Sequence, residues 1–162
     1  MRALARTLEE VVQLMGTWWI HEPNLLGSSN PTDADLEQLQ RDGFRVLVSL
    51  LHEKQPPRYD LERAKVLGLV RHNIPVDDFC APTVDQLEQF VKLLANLPPG
   101  AKAIVHCQAG IGRTGTFAAA YWLERGRTVS EAIARVRRAR PGAVESPEQE
   151  EALKEFAARR DG

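Results

Sequence analysis

The chain has 162 residues, a length that fits one compact domain and leaves little for a second. Acidic side chains outnumber basic ones by 22 to 21, a formal net charge of -1, which argues against nonspecific binding to nucleic acid or an anionic membrane. A hydrophobic fraction of 43% with mixed-sign charges at 27% excludes a disordered chain, and the longest apolar run, Phe117 to Leu123, is far too short to span a bilayer.

Arg6, Glu9 and Glu10 interrupt the apolar character of the N-terminal stretch, so no secretory signal is expected. A helical pattern covers Thr7 to Met15, followed by short extended segments at Trp18–Ile20 and Asn24–Gly27 around Pro23. Thr32 and Asp35 open a helix carrying Leu36 and Leu39 that stops near Gly43, and Val46 to Leu51 reads as a buried strand. A second helix is expected over Tyr59–Leu67, ended by Gly68, with a strand over Leu69–Ile74. Thr83 and Gln86 have capping-box spacing, and Leu87, Phe90, Val91 and Leu94 follow at helical intervals until Pro98-Pro99-Gly100. Ala101–His106 reads as a strand, and a helix after it runs through Phe117, Tyr121 and Trp122 to Gly126. Two more helices open at capping boxes, Thr128 with Glu131 and Ser146 with Gln149.

Strands alternating with helices predict a single α/β domain over residues 1–162, with a central, mostly parallel sheet flanked by helices on both faces. Ligands of such sheets bind at the carboxyl ends of the strands, and His106 to Arg113 falls there. That segment reads HCQAGIGRTG. Gly110 and Gly112 let the backbone of Gln108, Ala109, Gly110, Ile111 and Gly112 curl so that successive N–H groups face one concavity, with the positive end of a helix dipole behind it. Arg113 adds a planar fork matched to two phosphate oxygens, which a lysine does not reproduce. Cysteines at a helix N-terminus beside a cation ionise readily, so Cys107 is predicted to be a thiolate nucleophile rather than a small buried hydrophobe.

HCQAGIGRTG resembles the signature loop of the cysteine-dependent protein tyrosine phosphatases, H-C-x5-R-[ST], at every fixed position. The stretches EPNLLGSSNPT, VLVSLL, IPVDDFCAPT and RRARPGAVESPEQ extend the resemblance to the compact, atypical dual-specificity phosphatases. The resemblance implies a single phosphatase-like α/β domain. It also implies hydrolysis of phosphotyrosine, and of phosphoserine or phosphothreonine as well, in a phosphorylated protein or peptide through a phosphocysteine intermediate. In that scheme the loop amides and Arg113 hold the phosphoryl oxygens, and an aspartate about thirty residues before the cysteine protonates the leaving group. Two neighbours compete for this role, and Asp78 in DFCAP aligns better than Asp77. Thr114 helps the thiolate depart, and His106 holds the loop by hydrogen bonding. Gln149 either positions the hydrolytic water, as a glutamine does in relatives, or simply completes its capping box.

No cofactor or metal is expected, because His21, His52, His72 and His106 form no ligand-spaced group. No nucleic-acid or membrane partner is expected either, and the chain is read as a cytoplasmic monomer with two cysteines that build no disulfide framework. Cys80 is read as packing, or as the partner of Cys107 in a reversible disulfide. Arg135, Arg137, Arg138 and Arg140 read as a solvated face or a guide for an acidic phosphopeptide, and Trp18, Trp19 and Trp122 as packing. Alternative readings are a phosphoinositide or other nonprotein phosphate monoesterase, disfavoured by the neutral Gln108, Ala109 and Ile111, and a catalytically silent phosphate-binding module. Because turnover needs Cys107 ionised and Asp78 protonated, a bell-shaped pH profile with an acidic optimum is expected.

Overall fold

The computed structural model describes residues 16–162, so the helix expected over Thr7 to Met15 lies outside the described residues. Apolar residues crowd the segments 46–48 and 103–105 without polar interruption, the pattern of strands buried on both faces. These segments form the middle of one sheet in the order β1-β2-β5-β3-β4, with β1 Thr17–His21, β2 Leu25–Ser28, β3 Phe44–Ser49, β4 Val70–Asn73 and β5 Lys102–His106. β2, β5, β3 and β4 are mutually parallel, and β1 pairs antiparallel with β2 across a short turn. The helices are α1 Asp33–Arg41, α2 Leu61–Val66, α3 Val84–Ala95, α4 Gly112–Glu124, α5 Val129–Ala139 and α6 Pro147–Asp161.

Side chains alternate across the sheet as strand geometry requires. Leu26, Leu47 and Ile104 point to one face, where Leu36 and Leu39 of α1 and Ala64 of α2 cover them. Val48, Ala103 and Val105 point to the other, under Phe90 of α3, Phe117 of α4, Val136 of α5 and Phe156 of α6. Helix α4 is buried almost all round, and its small residues let neighbours approach closely: a Cβ on Gly115 would meet the Ala143 Cβ at 2.7 Å.

Several boundaries differ from the sequence reading. β3 starts at Phe44 and ends at Ser49, two residues earlier than the apolar run suggests. Phe44 pairs with Lys102 and Val46 with Ala103, so Arg45 is an extra residue. That bulge turns Phe44 to the α1 face of the sheet and Val46 to the opposite face. Leu50 and Leu51 lie past the strand end yet stay buried, and Leu50 still bonds His106 O through its N–H. α2 starts at Leu61 because the Asp60 carboxylate caps it, accepting from Glu62 N and Arg63 N. The capping boxes of α1 and α3 are complete, whereas Ser146 accepts from Gln149 N while the Gln149 amide turns elsewhere. The basic run on α5 is not simply solvated. Arg135 lies 3.8 Å from the centre of the Trp122 ring, and Arg137 donates to Ala143 O at 2.9 Å and Val144 O at 2.7 Å.

Candidate active site

β5 is the central parallel strand, and the chain leaves its carboxyl end at His106, turns through residues 107–111 and enters α4. Gly110 makes the turn at φ +76, and a Cβ there would lie 2.5 Å from Ser29 N. Only glycine fits, because both the left-handed backbone and the close approach of the chain after β2 forbid a side chain. The turn is tied down from both sides: Trp18 Nε1 donates to Gly110 O at 2.9 Å, and Asn30 N donates to Gln108 O at 3.1 Å. Asn30 Nδ2 also donates to Gln108 Oε1. Trp18 is thus more than the packing residue expected of it, since its indole N–H satisfies a carbonyl of the loop.

Cys107 is 2% exposed, and its Sγ accepts from Gly110 N at 3.2 Å and Thr114 Oγ1 at 3.1 Å. Both donors favour negative charge on sulfur, and they lie beside the N-terminus of α4. Helix α4 has no side-chain cap at Ile111 and no acidic residue in its first turn, so its leading N–H groups remain free for an anion.

Arg113 is 1% exposed. Its Nη1 donates to Gln55 Oε1 at 2.7 Å, Val76 O at 2.8 Å and, more weakly, Leu50 O at 3.4 Å. Nε and Nη2, the other edge of the fork, are buried without a hydrogen-bond partner. Nη2 does lie 3.2 Å from Asp78 Oδ1, an ion-pair distance without hydrogen-bond alignment, so both observations hold. An unmatched pair of charged donors in a buried site is costly unless an anion arrives to accept from both.

The two aspartates separate. Asp77 pairs with His52 Nε2 at 3.0 Å, and its side chain is 62% exposed. Asp78 leans over Arg113, with Oδ1 accepting from Phe79 N at 3.1 Å and Oδ2 from Gln55 Nε2 at 3.3 Å. The segment leading to it is held to the sheet end, since Ile74 N donates to Ser49 O and Val76 N to Leu50 O. Phe79 follows at φ +63 and is 73% exposed, a conformation rare for a bulky residue.

His106 lies beneath the loop, out of reach of solvent. Its Nδ1 faces the Cys107 carbonyl at 3.3 Å, which can only accept, so Nδ1 carries the proton and Nε2 accepts from the Tyr59 hydroxyl at 2.8 Å. Arg71 Nε donates in turn to that hydroxyl at 2.8 Å. Burial drives the His106 pKa down to about 3 and pushes the Tyr59 hydroxyl upward, so both stay neutral. Gln149 is fully buried; its Oε1 accepts from Glu145 N at 2.8 Å and its Nε2 donates to Cys80 O at 3.3 Å. The amide thus ties the Asp78 loop to the start of α6, in addition to the cap bond that its backbone N–H makes to Ser146 Oγ. Cys80 is exposed on that loop, and both cysteines are free.

The sequence reading missed Gln55, Asn30, Tyr59, Arg71 and the indole of Trp18. Each is far along the chain from Cys107 and reaches the loop only through the sheet. Among the described residues no cluster of His, Cys, Asp and Glu could hold a metal ion, and no helix is long and apolar enough to cross a membrane.

Residues 23–127 match the family described as polymorphic toxin system, DSP-PTPase phosphatase. The chain is 41% identical over 93 residues to the human dual specificity protein phosphatase CDC14C, covering 57% of this chain and 20% of that protein. It therefore spans about a fifth of the length of this relative. It is 32% identical over 127 residues to the Bos taurus protein tyrosine phosphatase type IVA 3, covering 72% of this chain and 69% of that one. In fold it resembles Tk-PTP in the active form with a TM-score of 0.82 and 34% identity, covering 89% of this chain and 97% of the other.

Proposed function

The chain belongs to the dual-specificity branch of the cysteine-dependent protein tyrosine phosphatases, and on that premise we propose that it hydrolyses phosphotyrosine, and phosphoserine or phosphothreonine as well, in phosphorylated proteins through a phosphocysteine intermediate. The observation that carries this reading is the unmatched Nε and Nη2 edge of buried Arg113 beside a cysteine sulfur that accepts two hydrogen bonds. A tetrahedral phosphoryl group supplies the two acceptor oxygens that the fork lacks. The neutral side chains of Gln108, Ala109 and Ile111 bring no cation for a second phosphate, which favours a monoester over a phosphoinositide.

In the first step the Cys107 thiolate attacks phosphorus, the S–P bond forms and the bond to the leaving oxygen breaks. Loop amides and Arg113 hold the equatorial oxygens as their charge develops. Asp78 gives its proton to the leaving oxygen; Asp77 is engaged with His52 and takes no part. In the second step water attacks phosphorus, Asp78 takes its proton, and the sulfur leaves as a thiolate met by the Thr114 hydroxyl. His106 acts on the loop backbone alone. We assign Gln149 to holding the Asp78 loop in place through Cys80 O, because both ends of its amide are engaged there. A free nucleophilic thiol supports a reducing, cytoplasmic setting, and all these groups come from one chain, which supports action as a monomer.

Hydrolysis of p-nitrophenyl phosphate in excess EDTA tests the reading. Turnover is expected to survive EDTA, disappear in Cys107→Ser, and follow a bell-shaped pH profile with an acidic optimum. Asp78→Ala should lose the limb on which rate falls as the acid ionises, and Asp77→Ala should keep it. No turnover by the freshly reduced native chain would replace this reading with that of a phosphate-binding module.

A further inference from the structure

Gln55 stands between the two charged groups of the site. Its Oε1 accepts from Arg113 Nη1 at 2.7 Å while its Nε2 donates to Asp78 Oδ2 at 3.3 Å. The amide can make both bonds only in one orientation, with oxygen to the arginine and nitrogen to the carboxyl group. The loop that carries it is pinned at its far end, where Asn30 Nδ2 donates to Pro56 O at 3.2 Å and Asn30 Oδ1 accepts from Arg58 N at 3.2 Å. Asn30 also holds Gln108, so one buried residue fixes both the phosphate-binding turn and the support of Gln55.

We propose that Gln55 is a positioning residue for the general acid, holding the Asp78 carboxyl group over Arg113 so that its proton is delivered to the leaving group. The proposal rests on the phosphatase reading given above. Oδ2 is engaged by the Gln55 N–H, while Oδ1 accepts from Phe79 N and lies 3.2 Å from Arg113 Nη2, at the edge of the phosphoryl site. The carboxyl proton of Asp78 is thereby held at that edge. As the bond between phosphorus and the leaving oxygen breaks and the S–P bond forms, that proton passes to the leaving oxygen and the electron pair of the O–H bond stays on the carboxylate. Gln55 Nε2–H then meets the new negative charge at Oδ2, and Gln55 Oε1 holds Arg113 Nη1 in place. A hydrogen bond that strengthens as charge appears favours the transition state over the ground state.

The test compares kcat/KM for phenyl phosphate, whose leaving group needs a proton, with that for dinitrophenyl phosphate, whose leaving group does not. Asp78→Ala is expected to lower the phenyl-to-dinitrophenyl ratio by about a hundredfold or more, the usual worth of a general acid. Gln55→Leu should lower the same ratio by about tenfold, the scale of one hydrogen bond to a charged group. Gln55→Glu, which retains an acceptor for Arg113 but not the N–H for Asp78, should lower it similarly. In the Asp78→Ala background, Gln55→Leu should leave the ratio within about twofold, because its effect passes through Asp78. Inhibition by orthovanadate reports on Arg113 separately. Equal losses on both esters with weakened vanadate inhibition would overturn the proposal and make Gln55 a support of Arg113 alone. A tenfold fall that persists without Asp78 would overturn it as well. An unchanged ratio in Asp78→Ala itself would remove the acid assignment, and this proposal with it.

Discussion

His106 carries a pH-dependent cost that can be worked through from its surroundings. Buried against the Tyr59 hydroxyl and the Cys107 carbonyl, it has a pKa of about 3 in the folded chain against 6.5 when free. Above pH 6.5 neither state binds the proton and the group is neutral to stability. Below it the unfolded chain takes up a proton that the folded chain refuses, so stability falls as pH drops from 6.5 towards 3. With those two values the loss at pH 5 is about 2 kcal/mol relative to pH 7. The perturbation is His106→Asn, which removes the titrating ring. Urea unfolding of both proteins at pH 7 and pH 5 isolates the effect, since every other group contributes to both. The variant should be less stable at pH 7, because the Tyr59 hydroxyl loses its acceptor, yet its loss between the two pH values should be smaller by about 2 kcal/mol. Equal pH dependence in the two proteins would mean that His106 protonates in the folded state, so that Nε2 is not a standing acceptor for the Tyr59 hydroxyl.

Gly110→Ala places a Cβ 2.5 Å from Ser29 N on a backbone at φ +76, so the loop must open; orthovanadate inhibition should weaken at least about tenfold, and native-like inhibition would refute the packing argument. Trp18→Phe keeps an aromatic ring but orphans the Gly110 carbonyl, a cost of about 1–3 kcal/mol in thermal or urea unfolding; a loss comparable to a surface substitution would mean that water replaces the indole. Arg137→Met should destabilise by a similar ~1–3 kcal/mol, because it frees the carbonyls of Ala143 and of Val144, a β-branched residue held at φ +56. Under mild peroxide, whose reduction to water takes two electrons from the thiols, Cys80 and Cys107 are predicted to join in a disulfide; peptide maps showing only oxidised Cys107 would exclude the pairing.

The architecture is legible in the sequence alone, and so is the segment in which the proposed chemistry is centred. The apolar runs, the capping residues Thr32, Thr83, Thr128 and Ser146, and the glycines after α1, α2 and α4 are local signals, because caps and turns are made by residues a few positions apart. The spacing of Cys107, Gly110, Gly112 and Arg113 is equally local, since one strand, one turn and one helix position them all. Asp78 was recognisable only by resemblance, being on another loop. Its separation from Asp77 needed the placement of His52 and Arg113, both brought in by different elements. The supports of the site were not legible at all: Trp18 reaches Gly110 across 92 residues, Gln55 reaches Arg113 across 58, and Gln149 reaches Cys80 across 69. A lone Trp or Gln carries no period and no motif, so its role is decided by the sheet order that sets β2 and β3 beside β5, with β1 and β4 outside them. The chain writes the nucleophile and its phosphate cradle into one short segment, and the parallel strands, by ending side by side, bring in Asp78 and the groups that hold them.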